Sequence, residues 1–462
     1  MERFNGVDAL LLYLETPGVH MHTLKIGVLD ISKVPGGLDF GQIRELLDQR
    51  LGALAPFRRQ LVETPWKMHH PVWLDNVEID LNYHVRRAVV AEPGGRRELD
   101  DLIGEIAASP LDRSRPLWEM HVAEGLAGGR VAVIGKVHHV LADGVASANI
   151  LAIALGIREP GDAGLATGTG SHPPKRQLLA SAAREHATQI GGLPRLFGST
   201  VGGVSRVRRR SRERGAHPDL ARNFSPPATF LNHIVTPGRR FATAPLALSD
   251  VKSTAKHLGV TINDVVLAVS AGALRELLLR YDGHADRPLI AGVPVSYDAS
   301  PDRITGNEFS YMTPSLPVHI ADPLERLRLA ALSADVAKEN YRLLGPKLTA
   351  SWLEYLPPLV APRTFRWHAG RGGSGGFMNL TISNVPGPRE RAEIAGATVS
   401  EFYSVGPLAP GSGMNITVWS YAGQFAISVL TDDRSLADAH AATDAMIRAL
   451  PNCASQPGFP AS

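Results

Sequence analysis

The sequence predicts an α/β protein of two lobes joined by a basic linker, and three observations carry that reading. The chain has 462 residues, about three times a single-domain length of ~150, so two domains or one two-lobed unit are expected. Hydrophobic residues make up 44% and charged residues 20%, which supplies a sizeable core and excludes a chain disordered throughout. Between two stretches of alternating helix and strand patterns the composition changes to Gly, Pro, Ser, Thr and Arg. The expected units are residues 1–156, a basic Gly/Pro/Arg-rich linker over 157–223, and a second lobe over 224–462.

In the first unit, Phe40, Ile43, Leu46, Leu47 and Leu51 share a helical face after Gly37, and Leu99, Leu102, Ile103 and Ile106 share another after Arg97. Strand-like runs cover 22–29 and 130–139, and an apolar helix follows over 145–155. Within the linker, 161–174 reads as a flexible stretch, 177–189 as a short helix and 204–214 as a basic run. Order resumes at Phe241, with helices over 248–258 and 263–279. Strands are expected over 289–295, 308–316, 377–383, 414–421 and 425–431, the last two joined as a hairpin by Ala422-Gly423-Gln424. Helices over 323–338 and 435–450 complete this lobe, and no tandem repeat of short period is visible.

Charge narrows the partners. Of 48 basic residues 39 are Arg, and the net charge of +3 hides an asymmetry. Eleven basic residues against Glu159, Asp162, Glu185 and Glu213 give 157–215 a local +7, which leaves −4 for the remainder. Such a segment suits an anionic surface, whether lipid, coenzyme phosphate or nucleic acid. The aromatic interleaving of a base-stacking surface is missing, so nucleic acid is not the expected partner. The one cysteine, Cys453, excludes a disulfide framework, a thiolate-cluster metal site and an iron–sulfur cluster. No apolar stretch reaches the ~18–20 residues of a spanning helix. Glu2, Asp8 and Glu15 around residues 10–13 do not fit a secretory signal, so a soluble, cytoplasmic protein is expected.

The chemistry concentrates in Val137-His138-His139-Val140-Leu141-Ala142-Asp143-Gly144. Period two puts Val131, Val133, Val137 and His139 on one face of the preceding strand, and Ala132, Ile134, Lys136 and His138 on the other. An imidazole that follows an apolar face inward, at a strand end, is suited to act as a general base, since its ordinary pKa of ~6.5 lets it take a proton near neutrality. Asp143 can fix the turn or the local charge, and Gly144 permits a tight backbone. The residues alone leave open a buried core histidine followed by an Asp helix cap. No metal is expected, because His138 and His139 are adjacent and lack Cys or acidic partners at ligand spacing. The glycine-rich stretch 370–376 does not follow the strand-to-helix pattern of a phosphate loop and reads as a mobile loop.

Other pieces fall around this motif in a fixed order. Upstream stand Asp8-Ala9, Tyr13-Leu14-Glu15-Thr16-Pro17, Met21-His22, Pro110-Leu111-Asp112 and Arg115-Pro116-Leu117-Trp118-Glu119. Downstream stand Asn263-Asp264-Val265-Val266-Leu267-Ala268, Val293-Pro294-Val295-Ser296, Gly306-Asn307 and Ser383-Asn384-Val385-Pro386-Gly387-Pro388. With the His-His-x-x-x-Asp-Gly signature, this series resembles the bacterial wax ester synthase/acyl-CoA:diacylglycerol acyltransferase family, within the coenzyme A-dependent acyltransferases of the chloramphenicol acetyltransferase fold. The resemblance covers nearly the whole chain except the linker.

That resemblance implies two chloramphenicol acetyltransferase-like lobes, mixed sheets flanked by helices, that meet at a channel with the histidine loop at their junction. It implies O-acyl transfer in which His139 deprotonates an acceptor hydroxyl, the oxygen attacks the acyl-CoA thioester directly, and the proton returns to the coenzyme A thiolate. No Cys or Ser nucleophile and no cofactor are implied, acyl-CoA being a co-substrate. Asp143 is expected to hold its loop through an ion pair, with His138 as an accessory position. Pro116, Leu117 and Trp118 are expected to line the acyl channel or to be plain core. Asn263 and Asp264 support the lobe interface or cap a helix, and Ser383 and Asn384 form channel wall or serve only the Pro-Gly turn. The acceptor is expected to be diacylglycerol, alternatively a long-chain alcohol. A lipid-droplet surface protein with a dead site is the non-enzymatic alternative. Such acceptors imply a peripheral membrane or lipid-droplet surface as partner. One departure stands out: many relatives carry an Arg two residues past Pro294-Val295-Ser296, where this chain has Tyr297-Asp298; if that Arg holds the Asp143 loop or neighbouring structure in them, another Arg is expected to do so here.

Overall fold

Two mixed β-sheets with helices on their faces organise the chain in a computed structural model that describes residues 2–159, 170–221, 225–297, 300, 303–369 and 376–450, apart from the side chain of residue 368. The first sheet runs, from edge to edge, Glu393–Ile394, Ala397–Val405, His22–Asp30, Arg130–His138, Trp118–Leu126 and Val85–Val89. Every neighbouring pair in it is antiparallel except the last. The second runs Phe309–Met312, Leu289–Ser296, Leu380–Val385, Met414–Tyr421, Gln424–Asp432 and Arg239–Ala247, and Ser315–Leu316 also pairs with Leu289–Ser296. A small third sheet joins Glu2–Arg3, Val72–Leu74 and Gln60–Val62.

The helical and strand periods expected in the first unit appear as the helices Phe40–Arg50 and Arg96–Ala108 and the strands His22–Asp30 and Arg130–His138. The Met414–Tyr421 and Gln424–Asp432 strands form the expected hairpin, whose turn residues Ala422 and Gly423 both take positive φ, 47° and 83°, the conformation of a two-residue turn that matches strand twist. The run expected over 308–316 divides into Phe309–Met312 and Ser315–Leu316, the interruption falling at Thr313-Pro314, where proline lacks a ladder N–H.

Two features depart from the sequence reading. The strand Ala397–Val405 comes from the C-terminal part of the chain yet pairs with His22–Asp30 along its length, so the first sheet is completed by a distant segment. The basic segment is not a linker throughout: Lys175–Arg214 is one 40-residue helix, with Pro194 inside it. It is held because its residues find partners. Arg3 pairs with Glu185, Arg206 Nε donates to Leu343 O at 3.1 Å, and Arg210 and Arg214 both reach Glu339, at 2.6 and 2.7 Å. Gly203 lies so close to the helix Pro323–Leu344 that a Cβ there would stand 2.6 Å from Leu344 O. Most of the stretch expected to be flexible, and Cys453, lie outside the described residues.

The second sheet parts near its centre. Leu289–Ser296 lies against Leu380–Val385 only through the pairs Ala291–Leu380 and Gly292–Thr381. Beyond them Val293–Ser296 continues with Phe309–Met312, while Ser383–Val385 continues with Thr417–Trp419. Parallel strands that separate in this way leave a cleft between their carboxyl ends, the usual place for a ligand in such sheets.

Candidate active site

The strand Arg130–His138 delivers both histidines, and its two faces are buried along nearly its whole length. Lys136, on the His138 face, is fully buried, with Nζ donating to Ile106 O and to Glu119 Oε2, both at 3.1 Å. His138 is itself 1% exposed. Val140 N–H donates to its Nδ1 at 3.1 Å, so its proton sits on Nε2, 3.1 Å from Glu15 Oε1. Glu15 also accepts from Met21 N at 3.0 Å and from Arg113 Nε at 3.0 Å. Burial alone would raise the Glu15 carboxyl, but His138 and Arg113 hold it far below the usual carboxylate range. Nδ1 of His138 is thus taken by Val140, and its Nε2 is sealed in the protein beside the Glu15 carboxylate.

His139 leaves the strand at the next position. Its N–H donates to Met21 O at 2.7 Å, its half-buried ring lies 5.5 Å from the Phe309 ring, and its Nδ1 lies 2.9 Å from Asn307 Oδ1. Phe309 pairs with Ser296, so this imidazole stands beside the strand that parts from Leu380–Val385. Burial lowers the His139 pKa, against Asp143 and Asn307, which act to raise it. Among the described residues Nε2 takes no protein hydrogen bond, which leaves that nitrogen open.

Asp143 caps the helix Gly144–Ala154, accepting from Val145 N at 3.2 Å and Ala146 N at 3.1 Å. Its other oxygen forms an ion pair with Arg303. Arg303 in turn donates to Thr305 O at 3.0 Å and Gly306 O at 2.6 Å, and Ala142 bridges to Gly306. The Arg needed in place of Tyr297-Asp298 is thus Arg303. Tyr297 itself donates its N–H to Glu308 O and lies under Lys347, while Asp298 is outside the described residues. Gly144 does not have the reason expected for it: its φ is not left-handed and a Cβ there would meet nothing within 4 Å.

The remaining candidates divide. Trp118 stacks between Phe57, 4.3 Å away, and His84, 4.5 Å away, and its Nε1 donates to Phe57 O at 2.9 Å, so its faces and its polar atom serve the core. Leu117 is fully buried and accepts His138 N–H on its carbonyl, and Pro116 O accepts Trp118 N–H. This tripeptide buttresses the end of the histidine strand; its packing accounts for it without a channel role. Asp264 forms a capping box with Thr261 at the start of Ile262–Tyr281, and Asn263 is half-buried in that first turn. Helix capping takes Asp264 Oδ2. Ser383 and Asn384 are half-buried on the strand edge where the second sheet parts.

Against known proteins, residues 4–266 match the model of the wax ester synthase/diacylglycerol acyltransferase catalytic domain, and residues 305–452 that of the corresponding C-terminal domain. The chain belongs to this family. A Mycobacterium tuberculosis H37Rv protein named "Putative diacyglycerol O-acyltransferase" is 52% identical over 97% of this chain and 94% of its own length. A second one from the same strain is 36% identical over 97% and 89%. Among solved structures, the wax ester synthase/diacylglycerol acyltransferase from Marinobacter aquaeolei VT8 superposes with a TM-score of 0.64 at 25% identity, covering 97% of this chain and 98% of that one. The first condensation domain of the calcium-dependent antibiotic synthetase shares the fold, with a TM-score of 0.58 at 14% identity over 99% and 96%. The family member described here is an acyltransferase of mixed α/β two-lobe fold, as the motif series implies.

Arg303 and Asn307 are the partners that motif reading did not assign. They lie 160 and 168 residues from the side chains they hold, so no local spacing announces them; the Gly306-Asn307 pair was the one sequence signal in that loop.

Proposed function

We propose that this acyltransferase moves a long-chain acyl group from acyl-CoA to the hydroxyl of diacylglycerol, forming triacylglycerol, with His139 as general base. The observation that carries the base assignment is the inequality of the two histidines: His138 is buried, with Nδ1 taken by Val140 and Nε2 against the Glu15 carboxylate, whereas half-buried His139 keeps Nε2 for substrate. In this reading Nε2 takes the acceptor O–H proton as the oxygen attacks the thioester carbonyl. The tetrahedral intermediate collapses with cleavage of the C–S bond, and the imidazolium returns its proton to the departing thiolate. Acyl-CoA is a co-substrate, and no acyl-enzyme forms. A long-chain alcohol is the second acceptor this reading allows, since a hydroxyl beside Phe309 serves the same chemistry. Purified protein with labelled acyl-CoA and a panel of diacylglycerol, hexadecanol and water tests it: triacylglycerol as the main product supports the proposal, wax ester as the main product replaces its acceptor, and no transfer to either defeats it.

Both acceptors are water-insoluble, so the proposed working place is a membrane or lipid-droplet surface. No single helix among the described residues is long and apolar enough to cross a membrane. The 40-residue helix exposes Ile190, Phe197 and Val201 at 67%, 55% and 65%, near-integral turns apart on one face. Arg210 and Arg214 pair with Glu339, Arg209 lies 4.0 Å from Glu213 and Arg206 donates to Leu343 O, so Arg206, Arg208 and Arg212 of the basic run have no ion pair among the described residues. Attachment of this protein is therefore proposed to be apolar first and electrostatic second. Sedimentation with anionic vesicles checks this: Ile190→Ser/Phe197→Ser/Val201→Ser should weaken binding more than raising the salt does.

A further inference from the structure

We propose that Asn307 is the positioning residue that fixes which nitrogen of His139 carries the proton. The inference rests on the reading of His139 as the base. It goes beyond that reading by naming the group that makes Nε2, rather than Nδ1, the basic atom.

The orientation of the Asn307 amide is decided by a group that can only accept. Its Nδ2 lies 2.6 Å from the backbone carbonyl oxygen of His139 and 2.7 Å from Asp8 Oδ1. Flipping the amide would set two oxygens at 2.6 Å, a repulsive contact, so the nitrogen stands there. Oδ1 then faces His139 Nδ1 at 2.9 Å. An amide oxygen can only accept, so Nδ1 must donate, and the lone pair of the neutral ring lies on Nε2. One side chain thus grips His139 twice, at the ring and at its own carbonyl, which fixes the ring plane against the backbone as well as the tautomer.

The grip is rigid because Asn307 is fully buried and backed on its far side. Asp8 sits in the first turn of the helix Gly6–Leu14, its N–H donating to Asn5 Oδ1. Asn307 also follows Gly306, whose carbonyl accepts from Arg303. A single loop therefore serves both ends of the motif, Arg303 to Asp143 and Asn307 to His139. The charged groups that act on the ring are Asp143 and Lys25, and the titratable Asp8 is reached through Asn307.

A neutral partner suits the reaction. A carboxylate at Nδ1 would stabilise the imidazolium strongly and hold the proton on it, whereas an amide dipole orients the ring and leaves the imidazolium acidic enough to return its proton to a thiolate.

The test is a nitrogen-correlated NMR spectrum of protein labelled at histidine, with His139 assigned by its loss in His139→Gln. The expected result is His139 protonated at Nδ1, with Nε2 unprotonated, in the neutral wild type. Asn307→Ala should weaken that preference and lower kcat at least ~10-fold with KM little changed, since a wrong tautomer alone is costly to a catalytic imidazole. Asn307→Asp should move the acid limb of kcat/KM to higher pH. A wild-type ring protonated at Nε2, or an Asn307→Ala protein with unchanged tautomer and kcat, overturns the inference. If Asn307→Ala does not fold, the wild-type spectrum still decides. The two readings fail separately: full turnover by His139→Ala defeats the base assignment, whereas an inactive His139→Ala beside an Nε2–H wild type defeats the role of Asn307 alone.

Discussion

At the end of the strand Arg130–His138, two imidazoles one peptide apart turn to opposite surroundings. His138 faces a charged and fully occupied interior: Val140 N–H on one nitrogen, the Glu15 carboxylate on the other, and Arg113 behind that carboxylate. His139 faces the parted edge of the second sheet, with Phe309 beside it and one amide on one nitrogen. The same side chain is a strut in one place and, in the proposed reaction, the base in the other. What separates them is the number of nitrogens left unspent, and the alternation of a strand is enough to produce that difference between neighbours.

The sharpest way to break this comparison is to remove each ring in turn. His139→Ala should lower turnover by at least ~10², the low end of what general base catalysis supplies. His138→Ala should lower activity less and melting temperature more, because it strips a partner from buried Glu15. Equal activity losses in two normally folded proteins would end the distinction.

The loop that presents His139 comes next in expected size. Asp143→Asn leaves the helix cap and weakens the ion pair with Arg303, so a loss of roughly tenfold in activity should come together with a lower melting temperature, as for other disrupted buried pairs. A fully stable Asp143→Asn protein with a displaced pH–rate profile would instead put Asp143 in the proton path.

Acidity offers a finer contrast. Burial lowers the His139 pKa, and the proposed reaction needs the neutral ring as its base. The acid limb of kcat/KM should therefore fall below the ordinary histidine value of ~6.5. Asp8 titrates the other way, its carboxyl pushed up to about 8 by burial despite the Asn307 hydrogen bond. Between the ordinary aspartate value and about 8 the folded protein holds a proton that the unfolded chain has released, so stability falls as pH rises through that window. Asp8→Asn should flatten this slope in urea unfolding midpoints measured from pH 5 to 9.

The smallest effect expected is none. Cys453→Ser should leave activity intact, and initial-rate plots should intersect as for a ternary complex. Parallel lines, or an acylated peptide in a mass spectrum, would show a nucleophile and leave His139 a different task.

Much of the scaffold was legible because it is written locally. The period of Phe40, Ile43, Leu47 and the alternation before His138 are set by nearest neighbours on one element, and both became the elements they imply. The long helix was not legible. Gly191, Gly192 and Pro194 break its pattern, and what holds it is Glu339 and Leu343 on another helix. The strand Ala397–Val405 was missed for a different reason: a bulge between Val399 and Glu401 shifts its phase, so no clean alternation survives. At the site, the histidines and Asp143 were read directly, while Arg303 and Asn307 reach them from 160 and 168 residues away. Trp118 had two readings, channel lining and core, and its ring contacts and its Nε1 hydrogen bond are those of the core.

The crossing of Ala397–Val405 into the first sheet sets an order on biosynthesis. Until the ribosome has released residue 405, the strand His22–Asp30 has its partner Arg130–His138 on one side and an unpaired row of N–H and C=O groups on the other. A nascent amino-terminal half in that state presents an adhesive edge of the kind that recruits stray strands. Produced by itself, such a half is expected to aggregate or to occupy chaperones. Produced alongside the carboxy-terminal half, it receives the missing strand from a separate molecule, and soluble yield should return through complementation.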